Sequence, residues 1–197
     1  GYKVGFELGL TYGLPQVVKV ARENMNPVNL KPLIYDHQKA GTDIPDTGKN
    51  FAAVMKASGI DAIIIFPQSG PETERAWIYR ANEQGLKVIG GGAMTHEAYL
   101  KSEGGYIDDE MVWEMYKLEA RCGITEFVVP ATKPEISLKA KEIILAQGVQ
   151  NPTFYSPGIG TQGATMKDLK PLGDSIHAIV GREVINAPNK DYGSAAQ

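Results

Sequence analysis

Short apolar segments alternate with amphipathic segments along the whole of this 197-residue chain, and no other feature of the sequence constrains its fold as strongly. The apolar segments are continuously hydrophobic, a pattern typical of parallel strands that are buried on both faces. Strands that alternate with helices predict a parallel α/β sheet. The predicted strands are 2–7, 32–35, 62–67, 87–91, 126–130, 153–156 and 176–180; the predicted helices are 14–24, 47–58, 71–84, 109–120 and 136–146.

The number of strands leaves two architectures open. A closed (β/α)8 barrel needs eight strands, and this sequence supplies seven beginning at its first residues. The chain is either an open doubly wound sheet or a barrel whose first βα unit is absent from the sequence. No linker or low-complexity tract interrupts it, so we expect one domain over residues 1–197.

Composition excludes several classes of function. The net charge is −3 and the isoelectric point is about 5.7, which gives no electrostatic reason to expect nucleic acid or a membrane surface as a partner. No apolar run approaches the ~18 residues that span a bilayer. One cysteine, Cys122, favours a reducing cytoplasm, and three well-separated histidines offer no metal site.

Four ionisable residues follow or interrupt the first two strands: Lys3, Asp36, Lys39 and Asp43. Charges crowded at the end of a sheet are expensive to desolvate and persist mostly where they serve chemistry. An alternating array of ammonium and carboxylate groups suits a reaction that forms a carbanion and then protonates it. The alternative is a solvated cluster of salt bridges at a strand end.

Two glycine-rich turns, at 156–163 and 180–182, follow the last two strands. Glycines let backbone N–H groups approach an anion, and the loops after strands seven and eight are the recurring phosphate site of barrels. Gln162 adds an amide donor, and Arg182 adds a bidentate one. These turns predict phosphate binding, although tight βα connections have the same composition.

These motifs together resemble the orotidine 5'-monophosphate decarboxylase family, in its archaeal form. The resemblance covers the chain in order and implies a (β/α)8 barrel, of which residues 1–197 form strands two to eight. It implies a cytoplasmic homodimer that needs neither cofactor nor metal and converts orotidine 5'-monophosphate to uridine 5'-monophosphate and carbon dioxide, the last step of de novo UMP synthesis. The motifs are at 3–5, 36–47, 94–96, 156–163, 180–182 and 186–188.

The resemblance also implies catalytic roles for the charged array. Lys3 contacts the ribose and orients Asp36, which faces the substrate carboxylate. Lys39 protonates C6 of the pyrimidine. Asp43 and Thr47 reach the active site of the neighbouring subunit, where Thr47 contacts a ribose hydroxyl.

The remaining implied contacts are with the base and the phosphate. Thr95 replaces the serine that reads the pyrimidine edge in the family. Pro157 begins the loop that closes over the substrate, and Gln162, Gly181 and Arg182 hold the phosphate.

The sequence departs from the family in two respects. The family spacing Asp-x-Lys-x-x-Asp is one residue longer in each gap here, and we expect bulges to absorb the insertions, with Gly41 suited to one of them. The first barrel strand, which ends in an aspartate that contacts the ribose, has no counterpart. We therefore expect a further βα unit of about 25 residues upstream of Gly1.

Two other functions remain open on the sequence. One is a magnesium-dependent sugar-phosphate decarboxylase or aldolase of the 3-keto-L-gulonate 6-phosphate or hexulose-phosphate type, which shares the barrel and the charged strand. The other is a non-catalytic protein that binds nucleotide phosphates. Thr95 and Gln162 favour the nucleotide over the sugar phosphate.

Overall fold

The computed structural model describes residues 1–37, 40–160 and 162–185. It divides into two compact units, one formed by Gly1–Gly91 with Arg121–Ile124 and the other by Gly92–Ala120 with the described residues from Thr125 onward. All seven predicted strands are present, and their pairing within each unit is parallel, as predicted.

The first unit is a parallel sheet in which each strand pairs with the next in the chain. Its interior is aliphatic; all four residues of the third strand, Ala62–Ile65, are at most 2% exposed. The strands are β1 Tyr2–Gly5, β2 Leu33–Asp36, β3 Ala62–Ile65 and β4 Lys87–Gly91. The helices are α1 Phe6–Tyr12, α2 Leu14–Glu23, α3 Thr47–Ala57 and α4 Pro71–Glu83.

The second unit has a parallel sheet of the same kind, built on Phe127 and Phe154, which are almost completely buried. Tyr116 extends this core and donates its hydroxyl to the carbonyl of Val128. The strands are β5 Glu126–Val128, β6 Thr153–Pro157 and β7 Ile176–Ile179. The helices are α5 Asp109–Arg121, whose last residue belongs to the first unit, α6 Pro134–Ala146, α7 Met166–Leu169 and α8 Arg182–Ile185, with 3₁₀ turns at Lys101–Glu103 and Lys170–Leu172.

The first strand is shorter than predicted, and a helix follows it directly. We expected a strand over 2–7, but β1 ends at Gly5 and α1 begins at Phe6. The apolar residues of α1 point outward instead of forming a buried stripe; Leu10, for example, is 75% exposed. Because the segment lacks the apolar periodicity of a surface helix, its sequence does not predict one.

The residues of interest lie beyond the carboxyl ends of the strands or on them. Asp36 is the last residue of β2, and Pro157 is the last residue of β6. Gly181 and Arg182 follow β7. Parallel α/β folds place their sites at this end because the loops that follow the strands gather there.

Candidate functional site

An ion pair joins β1 and β2 in the first unit. Lys3 lies opposite Ile34 in the parallel register, and Asp36 follows Ile34 by two residues. Side chains two residues apart in a strand point to the same face, so Lys3 and Asp36 share that face. The Lys3 Nζ lies 2.9 Å from Asp36 Oδ2, and the two side chains are 32% and 17% exposed. The predicted partnership of these residues is therefore present.

The residues that flank Asp36 contact each other; Tyr35 is buried and His37 is exposed. The hydroxyl of Tyr35 is 2.7 Å from Nδ1 of His37. The centroid of the His37 ring lies 5.9 Å from the centroid of the Phe51 ring. Burial and the charge of Asp36 both raise the pKa of Tyr35, so its phenol keeps its proton. His37 is thus a packing partner of the strand end.

Asp43 lies in the segment that joins β2 to α3. Its carbonyl oxygen accepts a hydrogen bond of 2.8 Å from the hydroxyl of Thr73, and its side-chain Oδ1 accepts one of 2.7 Å from the amide of Ile44. The expectation for Gly41 needs correction: it adopts a φ of 91° in a turn after the end of β2, not in a strand bulge. Lys39, the predicted proton donor, lies outside the described residues.

Thr47 is the first residue of α3. Its hydroxyl donates to the carbonyl of Ile44 over 2.8 Å, which ties the start of the helix to the preceding segment. A hydroxyl that donates in this way keeps its acceptor lone pairs for a second partner.

Three side chains of the second unit meet over Gly158, at the start of the turn after β6. A Cβ atom at Gly158 would lie 2.8 Å from Cγ2 of Thr132, and 3.4 Å from both Gln162 Oε1 and Thr95 Cγ2. Gly158 also has a φ of 103°, so this position suits glycine on both counts. The structure thus brings together Thr95 and Gln162, two residues that sequence motifs nominate separately.

The turn beyond Gly158 forms a polar recess of about 310 Å³. A hydrogen bond of 3.2 Å from the amide of Ala164 to the carbonyl of Gly158 closes the turn. The recess is lined by Ala131, Thr132, Pro134, Gln162, Gly163, Ala164 and Asp168.

The second glycine-rich turn starts beside the first. Pro157 of β6 and Ile179 of β7 are register partners, so Gly158 and Gly181 leave neighbouring strands at nearly the same level. Gly181 and Arg182 are exposed. A guanidinium and the backbone N–H groups of two adjacent turns are suitable donors for a phosphate. Residues 186–188 of the final motif lie outside the described residues.

Two residues that the motifs did not nominate hold Thr95 and its neighbour. The hydroxyl of Thr132 donates to the carbonyl of Thr95 over 3.0 Å, and Nζ of Lys133 donates to the carbonyl of His96 over 3.0 Å. Lys133 also pairs with Glu103, with 2.7 Å between Nζ and Oε2. These residues lie two and three positions after the predicted strand 126–130. Their position after a strand is the sequence signal that could have indicated them.

The carboxyl of Glu103 is held in its ionised form. Burial opposes ionisation, but hydrogen bonds from Lys133 and from the amides of Leu100 and Tyr99 outweigh it and lower the pKa of Glu103. Lys133 and Glu103 are 12% and 26% exposed, so this pair is better shielded from solvent than an ordinary surface pair.

Within the described ranges, no group of three or more histidine, cysteine, aspartate or glutamate side chains is placed to hold a metal ion. In the same part of the chain, none of the helices has both the length and the hydropathy needed to cross a membrane.

Parallel strands joined by helices, with charged and glycine-rich segments beyond their carboxyl ends, are the arrangement of an α/β enzyme. The chain matches the model of the orotidine 5'-phosphate decarboxylase / HUMPS family over residues 1–196, and it belongs to that family. This match, together with the solved structures below, confirms the predicted (β/α)8 fold class.

Three similar proteins are orotidine 5'-phosphate decarboxylases by name. An orotidine 5'-phosphate decarboxylase of Methanosarcina mazei is 30% identical over 185 residues, which are 94% of this chain and 76% of that protein. One from Methanosarcina barkeri is 31% identical over 186 residues, or 94% and 75% of the two chains. The crystal structure of orotidine 5'-monophosphate decarboxylase from Methanocaldococcus jannaschii, complexed with the inhibitor BMP, superposes with a TM-score of 0.78 at 25% identity and covers 99% of this chain and 85% of that one.

Replacing Lys133 with methionine should lower the free energy of unfolding by about 1–3 kcal/mol at neutral pH, since Glu103 then loses a charged donor. The pKa of Glu103 is lowered by folding, so its stabilising contribution is complete above its unfolded pKa and is lost as the pH falls through the folded pKa. The difference between the two proteins should therefore shrink below about pH 4.5. Chemical denaturation of both proteins at several pH values measures this difference in the free energy of unfolding.

Lys101→Met is the matched control, because Lys101 pairs with Asp108 over 3.1 Å on an exposed surface. It should change stability little at any pH. A Lys133→Met difference that stays constant down to acid pH would mean that the charge of Glu103 contributes nothing.

Proposed function

We propose that this chain decarboxylates orotidine 5'-monophosphate to uridine 5'-monophosphate and carbon dioxide, the last step of de novo UMP synthesis. The observation that carries the proposal is the family match over residues 1–196 combined with the ion pair of Lys3 and Asp36 at the strand end. The curated relatives share both the name and most of the length of the chain.

The chemistry is a problem of charge. When the bond between C6 and the carboxylate breaks, the electron pair remains on C6, and the enzyme stabilises it by the placement of charge. In the proposed reaction Lys39 faces C6 between Asp36 and Asp43. Its ammonium stabilises the developing carbanion and then transfers a proton to C6, and water restores the lysine.

Lys3 fixes the direction of the Asp36 carboxylate. With Nζ 2.9 Å from Oδ2, the carboxylate is held on the shared face of β1 and β2 before substrate arrives. Preorganisation of this kind removes the need to reorient a charged group during the reaction. The side chain of Lys3 is 32% exposed, which leaves it accessible to a ribose hydroxyl.

In this proposal the nucleotide is bound through its phosphate and its pyrimidine. The amide of Gln162, the backbone of Gly181 and the guanidinium of Arg182 bind the phosphate, Thr95 reads the pyrimidine edge, and the loop after Pro157 closes over the substrate. The phosphate does not react, so its binding energy serves to hold the base against the charged groups.

The protein works as a cytoplasmic homodimer in this proposal. Asp43 and Thr47 are contributed to the partner's active site, and the exposure of Asp43 supports such a role. A single cysteine in the whole sequence is consistent with a reducing compartment.

Arg182→Ala should weaken UMP binding and lower kcat/KM by about 10- to 100-fold, because a charge-assisted contact to the phosphate is lost. Affinity for uridine, which lacks the phosphate, should not change. Calorimetry with both ligands and a turnover assay test this, with the surface substitution Arg75→Ala as control. An Arg182→Ala protein that distinguishes UMP from uridine as well as the parent does would remove Arg182 from the phosphate site.

Lys39→Ala and Asp43→Ala should each be inactive alone and should complement each other when mixed. After subunit exchange, about half of the dimers are mixed, and each mixed dimer has one site with both lesions and one intact site. Activity should therefore recover to about one quarter of the parent value. If native mass spectrometry detects mixed dimers but activity does not recover, Asp43 acts within its own chain.

A further inference from the structure

We propose that Thr73 and Trp77 of α4 are positioning residues that hold the backbone of residues 40–47 and thereby aim the carboxylate of Asp43. The inference rests on the proposed function, in which Asp43 acts in catalysis, and it assigns a task to a helix that carries none of the predicted site residues.

Two successive carbonyl groups of the segment accept hydrogen bonds from one helix. The hydroxyl of Thr73 donates to the carbonyl of Asp43 over 2.8 Å, and Nε1 of Trp77 donates to that of Ile44 over 3.1 Å. Residues four apart lie on the same face of a helix, so a single face makes both contacts. Thr73 and Trp77 are 3% and 6% exposed, and solvent competes little for these bonds.

The indole of Trp77 is held in place by packing. A Cβ atom at Gly48 would lie 2.7 Å from Cδ1 of Trp77, so the indole rests directly on the backbone of α3. The indole also contacts Phe51, with 4.9 Å between the centroids of the two rings. A side chain that is packed in this way presents its N–H in one direction.

The direction of the Asp43 carboxylate follows from the backbone that these donors hold. Oδ1 of Asp43 accepts a hydrogen bond of 2.7 Å from the amide of Ile44, the residue whose carbonyl binds Trp77. Because the side chain of Asp43 is exposed, its direction is set by the backbone and not by packing against neighbouring side chains. The hydroxyl of Thr47 also donates to the carbonyl of Ile44, so loss of one donor of α4 would loosen the backbone that carries the carboxylate without releasing it completely.

The start of the segment is fixed separately. The carbonyl of Ala40 accepts a hydrogen bond of 2.7 Å from the amide of Phe66, and Gly41 approaches Pro67 so closely that a Cβ atom would lie 3.2 Å from its Cα. Between this point and α3, Thr73 and Trp77 supply the hydrogen bonds from α4. The stretch between Lys39 and Asp43 is one residue longer than the family spacing, and a longer stretch costs more conformational entropy to order.

The test is a double-mutant cycle with Asp43. Trp77→Phe keeps an aromatic ring against Gly48 and removes the donor, and it should lower kcat at least about fivefold with little change in KM. Combined with Asp43→Asn, whose residual rate is measured in single turnovers with excess enzyme, the same substitution should cause no further loss, because it acts only through that carboxylate. Thr73→Val removes the hydroxyl donor and should behave like Trp77→Phe. Thr73→Ser keeps the hydroxyl and should turn over like the parent.

Trp113→Phe is the matched control. Trp113 is also 6% exposed, but its indole N–H has no hydrogen-bond partner in the described structure, so its loss should leave kcat unchanged. A second readout needs no substrate: amide hydrogen exchange of residues 40–47, followed by mass spectrometry, should be faster in Trp77→Phe than in the parent and unchanged in Trp113→Phe.

The outcomes separate this inference from the proposed function. Losses that multiply between Trp77→Phe and Asp43→Asn, or exchange at residues 40–47 that matches the parent, would overturn the positioning role. A parent protein that does not decarboxylate orotidine 5'-monophosphate would overturn the proposed function, and the exchange rates would still decide whether α4 holds the segment.

Discussion

The contact between Lys3 and Asp36, 2.9 Å long, is the interaction on which the proposed chemistry depends. It exists because β1 and β2 pair in one register; a shift by one residue would turn Lys3 to the opposite face. A partly buried ion pair is weak evidence for stability, since desolvation offsets much of the attraction between the charges. Its value here lies in the fixed direction of a carboxylate at the edge where parallel strands place their sites.

Within each unit, side chains that follow the strands are aimed through the backbone. In the first unit, Thr73 donates to the carbonyl of Asp43. In the second, Thr132 and Lys133 donate to the successive carbonyls of Thr95 and His96. These contacts fix the backbone through its carbonyl groups and do not use the side chains of Asp43 or Thr95. They also rigidify loops that would otherwise be mobile.

The sequence predicts the strands well and the supporting contacts poorly. Continuous apolar runs locate all seven strands of the described residues, and the rule that sites follow strands nominates Asp36 and Gln162 as site residues without any structure. The donor pairs escape detection because Thr73 and Asp43, like Lys133 and Glu103, are 30 residues apart, and no local spacing encodes that proximity. Helix α1 is missed for a different reason. Its apolar side chains are exposed, and its sequence therefore lacks the apolar periodicity that marks the buried stripe of a surface helix.

The most direct test is to incubate the purified chain with orotidine 5'-monophosphate in the presence of a metal chelator and to measure release of carbon dioxide together with formation of UMP. The account predicts equal amounts of both products at a rate that the chelator does not change, because the charge of the side chains alone stabilises the carbanion. Binding of UMP without turnover would contradict it and indicate a nucleotide-binding protein. Activity on a sugar phosphate that requires added magnesium would contradict it in favour of the other branch of the family.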